Sequence, residues 1–74
     1  MAYQVGRCLL RQKLIDAGME QTELASRLNV TKQQVNKYVM NRQIMALETA
    51  KNVAVILDCR IEQLYEWIEV GNTE

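Results

Sequence analysis

Between Gln21 and Tyr38 the apolar residues keep helical spacing, break at Asn29-Val30-Thr31, and resume at the same spacing. Leu24, Ala25 and Leu28 make one inward stripe; Val35 and Tyr38, at i, i+3, make the next. Two helices this short are stable only if each packs against the other, which demands a tight reversal between them. Asn29 suits that reversal, being one of the few non-glycine residues that tolerate a left-handed backbone. Val30 is expected to anchor the turn in the core. Thr31 is placed to cap the second helix, its hydroxyl accepting from an unpaired N–H of the first turn. With Val35 and Tyr38 inward, Lys32, Gln33, Asn36 and Lys37 are left on the outer face. A short amphipathic helix whose free edge carries amides and ammonium groups fits the major groove of DNA.

The rest of the chain is read as more of the same. Its 74 residues contain no proline and no β-type alternation of useful length. The expected fold is therefore all-α, five helices separated by short turns. The first is expected over about Val5 to Ala17, with Leu10 and Leu14 inward and Gly18 as its left-handed terminator. The second runs from about Gln21 to Leu28 and the third from about Lys32 to Met40, with Asn41 as the next left-handed exit. A fourth, about Leu47 to Leu57, buries some set of Leu47, Ala50, Val53, Ala54 and Leu57. A fifth, about Ile61 to Trp67, buries Ile61, Leu64 and Tyr65 or Ile68. A chain this short is expected to form one domain over residues 1–70, with 71–74 as a frayed tail, and leaves no room for a ligand-sensing or protease domain.

Charge is distributed unevenly although it sums to zero. Up to Met45, seven basic residues (Arg7, Arg11, Lys13, Arg27, Lys32, Lys37, Arg42) face three acidic ones, a net of +4; the remainder, with Lys51 and Arg60 against six acids, is −4. The basic half coincides with the paired helices, as a polyanion-binding surface requires. Cys8 and Cys59 lie far apart, and with no histidine in the chain no metal-ligand spacing exists. Both are expected as small buried apolar residues, and no metal, cofactor or small-molecule ligand is expected. No apolar run approaches the ~20 residues needed to cross a bilayer, and no signal-peptide core is present, so the expected location is the cytoplasm. Without a histidine, a glycine-rich phosphate loop or a convergent carboxylate pair, nothing supports an enzyme.

Three segments carry a resemblance. Gly18-Met19-Glu20-Gln21-Thr22-Glu23-Leu24-Ala25 looks like a Gly-Leu-Thr-Gln-x-Glu-Leu-Ala opening, with Glu20 where a Ser or Thr cap is usual. Leu28-Asn29-Val30-Thr31, followed by Val35 and Tyr38, is similar to a Leu-Gly-Val-Ser turn and the inward positions of the helix after it. Leu57-Asp58-Cys59 and the Leu64-Tyr65-Glu66-Trp67 run match a compact subgroup that ends in Asp-Cys, then Leu, an acidic residue and an aromatic. In order and spacing, from about Leu10 to Trp67, the chain resembles the phage Cro/repressor (Xre) helix-turn-helix family. The resemblance implies a lambda-repressor-like domain that binds double-stranded DNA and regulates transcription, most simply as a repressor, with phage or mobile-element origin. Two departures stand out: Val39 replaces a frequent Glu able to pair with the first helix, and Asn41 replaces the usual Gly.

On this reading Lys32, Gln33, Asn36 and Lys37 are the candidate base contacts. Gln33 suits a two-pronged pairing with adenine and Lys32 donation to guanine. Gln21, at a helix N-terminus with free N–H groups, Thr31, the loop residues Asn41, Arg42 and Gln43, and Arg11 are the candidate phosphate contacts, with Arg7 beside Arg11. Val39, Met40, Ile44, Met45, Trp67 and Val70 have no evident place in the core. A homodimer is expected, with Met40, Ile44, Met45 and the last helix as its candidate interface. The competing readings are a protein-interaction module and an antitoxin or accessory subunit that uses the same fold to bind another regulator.

Overall fold

The computed structural model describes residues 2–71, so the expected tail lies almost wholly outside the described residues. In chain order it has strand β1 (Ala2–Cys8), helices α1 (Leu10–Ala17), α2 (Gln21–Leu28), α3 (Lys32–Val39) and α4 (Leu47–Ile56), a 3₁₀ turn at Ile61–Gln63, and strand β2 (Tyr65–Val70). The four helices fall where their apolar spacing put them, apart from the start of the first. Each ends on one residue of positive φ: Gly18 (65°), Asn29 (61°), Asn41 (62°) and Asp58 (55°). At all four the next residue's N–H returns to a carbonyl five residues back, as in Met19 to Leu14 at 2.9 Å and Val30 to Ala25 at 3.0 Å. That closure satisfies the last carbonyls of a helix and reverses the chain within two residues. Asp58 had not been anticipated in this role.

The two ends of the chain depart from the all-helical expectation. Val5–Cys8 is strand rather than the first turns of a helix, and the fifth helix shrinks to the 3₁₀ turn before β2. β1 and β2 pair antiparallel, with Ala2 opposite Val70 and Val5 opposite Trp67. Tyr3, Val5, Tyr65, Trp67, Ile68 and Val70 are the β-branched and aromatic residues that suit a pleated surface, and Gly6 would weaken a helix by about 1 kcal/mol. Between Val5 and Cys8 the register slips by one residue, a bulge at Gly6-Arg7. Gly6 is needed for the close approach there, because a Cβ would stand 3.1 Å from both Cβ and the carbonyl oxygen of Glu66.

The core lies among the helices and the root of this ribbon: Leu10, Leu14, Leu24, Ala25, Val35, Tyr38, Ala50, Val53, Ala54, Leu57, Leu64 and Tyr65 are buried. Val39 and Met45 are buried with them, which corrects their expected placement outside the core and removes Met45 from any dimer surface. Val39 thus fills with packing the position where an ion pair to the first helix would otherwise sit. Conversely Val30, expected inside, is exposed, and Leu47 at 75 % leaves the core of α4 to Ala50, Val53 and Ala54. Ile68 is also exposed. Cys8 is buried and Cys59 half-buried, both free, and burial pushes both thiols up from their ordinary range. Beyond its root the ribbon is exposed apart from half-buried Val5 and Gly6, and the molecule measures 47 × 22 × 20 Å. Among the described residues no helix is long and apolar enough to cross a membrane.

Candidate nucleic-acid interface

α3 is held by its inner face and free along its outer one. Val35, Tyr38 and Val39 are buried, while Lys32, Gln33, Asn36 and Lys37 are exposed. The Thr31 hydroxyl accepts from Gln34 N at 3.1 Å; such a cap is worth about 0.5–2 kcal/mol. Its own proton stays free to donate outward. Among the described residues the ion pairs are Arg7–Glu66, Arg27–Glu23 and Arg60–Glu62, so Arg11, Lys32, Lys37 and Arg42 are in none.

Two grooves flank the helix. The first brings together Arg11 from α1, Gln21 from the start of α2, and Lys32 and Asn36 from α3, and Glu20 lines it as well. Asn36 Nδ2 donates to Gln21 Oε1 at 3.5 Å, which occupies the glutamine's acceptor and leaves its NH₂ to donate. The second lies at the other end of α3 and is lined by Arg7, Arg11, Gln12, Met40 and Asn41. Arg7 sits 3.2 Å from Glu66 of β2, so of the two arginines only Arg11 is uncommitted.

The loop after α3 is tied down more closely than its composition suggests. Asn41 not only supplies the left-handed angle; its Oδ1 also accepts from Cys8 N at 2.7 Å. Gln34 Nε2 donates to Gln43 Oε1 at 3.0 Å, again leaving an NH₂ free. Arg42 is exposed beside it. Gln34 had escaped sequence reasoning. It stands three residues after the Thr31 cap, where a Gln normally reaches back to the cap's own N–H, and that pattern conceals its actual partner nine residues on.

The outward edge of α3 is therefore a row of amide and ammonium groups with a donor-rich patch at each end, and the acidic residues are concentrated in the later half of the chain. Such a surface can hydrogen-bond base edges along its centre and phosphate oxygens at its flanks. Comparison with known proteins identifies the family. Residues 9–69 match the Cro/C1-type HTH DNA-binding domain family. Over 67 residues, 86 % of this chain and 88 % of the relative, the sequence is 34 % identical to an SPbeta prophage-derived uncharacterized HTH-type transcriptional regulator, YopS, of Bacillus subtilis. With both the helix-turn-helix and its flanks inside the matched region, the chain belongs to the Cro/C1-type helix-turn-helix DNA-binding family, a non-enzymatic class of regulators.

Proposed function

We propose that this DNA-binding transcriptional regulator reads its sites through the free edge of α3 and acts as a repressor, by occluding a promoter in the cytoplasm. Residues 1–70 serve as one DNA-binding domain. Lys32, Gln33, Asn36 and Lys37 face base edges; Gln21, Thr31 and Arg11 face the backbone on one side, and Asn41, Arg42 and Gln43 face it on the other. The observation that supports this most is the exposure of four donor-bearing side chains on one helix edge whose opposite face is buried. No small-molecule ligand takes part.

One such helix spans only a few base pairs, so the working form is a homodimer that sets two copies of α3 about 34 Å apart. Met40 and Ile44 are exposed near the end of α3, and Trp67 and Val70 on β2; these are the residues offered to the second subunit. Salt titration of binding to duplex DNA tests the reading. Arg11 and Arg42 from each of the two subunits, four charged phosphate contacts, give a log–log slope of roughly 3.6, a loss of roughly 150-fold for a fourfold rise in salt. Affinity independent of salt would exclude phosphate contact.

A further inference from the structure

The loop between α3 and α4 is fastened at both ends to one rung of the ribbon. Cys8 and Tyr65 are register partners where β1 and β2 meet the body. Cys8 donates its N–H to Asn41 Oδ1 at the start of the loop, and the Tyr65 hydroxyl accepts from Met45 N, 3.0 Å away, at its end. Leu9 N, donating to Leu64 O at 2.8 Å, continues the ladder into the body and fixes the rung in place. Tyr65 and Met45 are both buried, so this hydroxyl is positioned by packing and faces neither solvent nor ligand. Between the two fastenings Arg42, Gln43 and Ile44 stand outward, with Gln43 steadied from α3 by Gln34.

We propose that the Cys8–Tyr65 rung holds the Asn41–Met45 loop in the shape that presents Arg42 and Gln43 to a DNA phosphate, which makes Tyr65 and Asn41 positioning residues for DNA binding. The inference rests on the phosphate role proposed above for Arg42 and Gln43. Tyr65 contributes without approaching DNA: its hydroxyl pins the loop's far end, and the loop's near end is pinned by an amide whose backbone angle a glycine would supply equally well. A loop freed at either end samples many shapes, and ordering it on binding then costs affinity.

Tyr65→Phe deletes the hydroxyl and keeps the ring; Asn41→Gly keeps the left-handed backbone and deletes the acceptor. Affinity for one duplex is measured against salt for wild type, each variant, Arg42→Ala, and Arg42→Ala combined with Tyr65→Phe, at a temperature where circular dichroism shows every protein folded. Arg42→Ala, which removes one contact from each subunit of the dimer, is expected to reduce the slope by about 1.8. Tyr65→Phe is expected to weaken binding about five- to tenfold, the scale of one hydrogen bond, and to reduce the slope comparably. The double variant should be hardly weaker than Arg42→Ala alone. Asn41→Gly also removes an amide proposed to face the backbone, but losing a neutral donor leaves the salt slope alone, so a slope change in this variant reports release of the loop and decides the matter should Tyr65→Phe not fold. If Arg42→Ala alters binding and slope while Tyr65→Phe and Asn41→Gly leave the slope at its wild-type value, the positioning role is wrong. If Arg42→Ala itself changes nothing, the phosphate role of the loop fails first and takes the inference with it.

Discussion

Leu24→Ala is expected to destabilise the protein by about 2–5 kcal/mol, the range for removing a fully enclosed leucine side chain. Leu24 has no exposed surface and sits on α2 among Ala25, Val35 and Val53 of the same buried cluster. α2 packs on both α3 and α4, so the space left by the side chain is walled by the elements that define the core, and how far they close on it sets where in that range the cost falls. Domains of this size are stable by only on the order of 5–10 kcal/mol, and each kcal/mol moves the melting midpoint by roughly 4–8 °C. The midpoint should therefore fall by about 10 °C or more in a thermal melt followed by circular dichroism. Leu47→Ala, at a residue 75 % exposed, is the contrast, with a change within about 0.5 kcal/mol. Equal effects of the two substitutions would show that the stripe assigned to the interior is not what holds α2 and α3 together.

The second large effect concerns recognition. Gln33 is exposed, in the first turn of α3, where a helix entering the major groove meets base edges. Gln33→Ala removes a side chain able to pair two-pronged with a base and leaves the fold untouched. The expected loss on a preferred site is about 1–3 kcal/mol, roughly 5- to 150-fold, for each half-site, with binding to unrelated duplex unchanged. Competition binding with preferred and scrambled duplexes measures both. A uniform loss on both would make Gln33 a backbone contact instead of a base reader.

How far these properties could be read in advance depended on the range of the interaction. The helices of the central segment announce themselves because their signals are local: apolar residues three and four apart, and Gly18, Asn29 and Asn41 at the ends. The outward placement of Lys32, Gln33, Asn36 and Lys37 follows by elimination once Val35 and Tyr38 face inward. The ribbon did not announce itself. Each strand is short, its partner lies about sixty residues away, and Leu64-Tyr65 with Ile68 satisfies a helical period as well as Tyr65 and Trp67 satisfy an alternating one. Met45 was misplaced with the ribbon, since its N–H donates to the Tyr65 hydroxyl at the ribbon root. The fastenings on the loop were invisible for the same reason. Asn41 looked like a glycine substitute because its backbone role is local, whereas its bond to Cys8 spans 33 residues.

The position of the interface is the claim on which the rest depends, and amide chemical-shift mapping during titration with duplex DNA locates it directly. The largest changes are expected at Gln21 and Thr22, from Thr31 to Lys37, and at Asn41 to Gln43, with α4 beyond its first turn nearly silent. If the shifts instead concentrate on the exposed residues of α4 and β2 while α3 stays unperturbed, α3 does not read DNA.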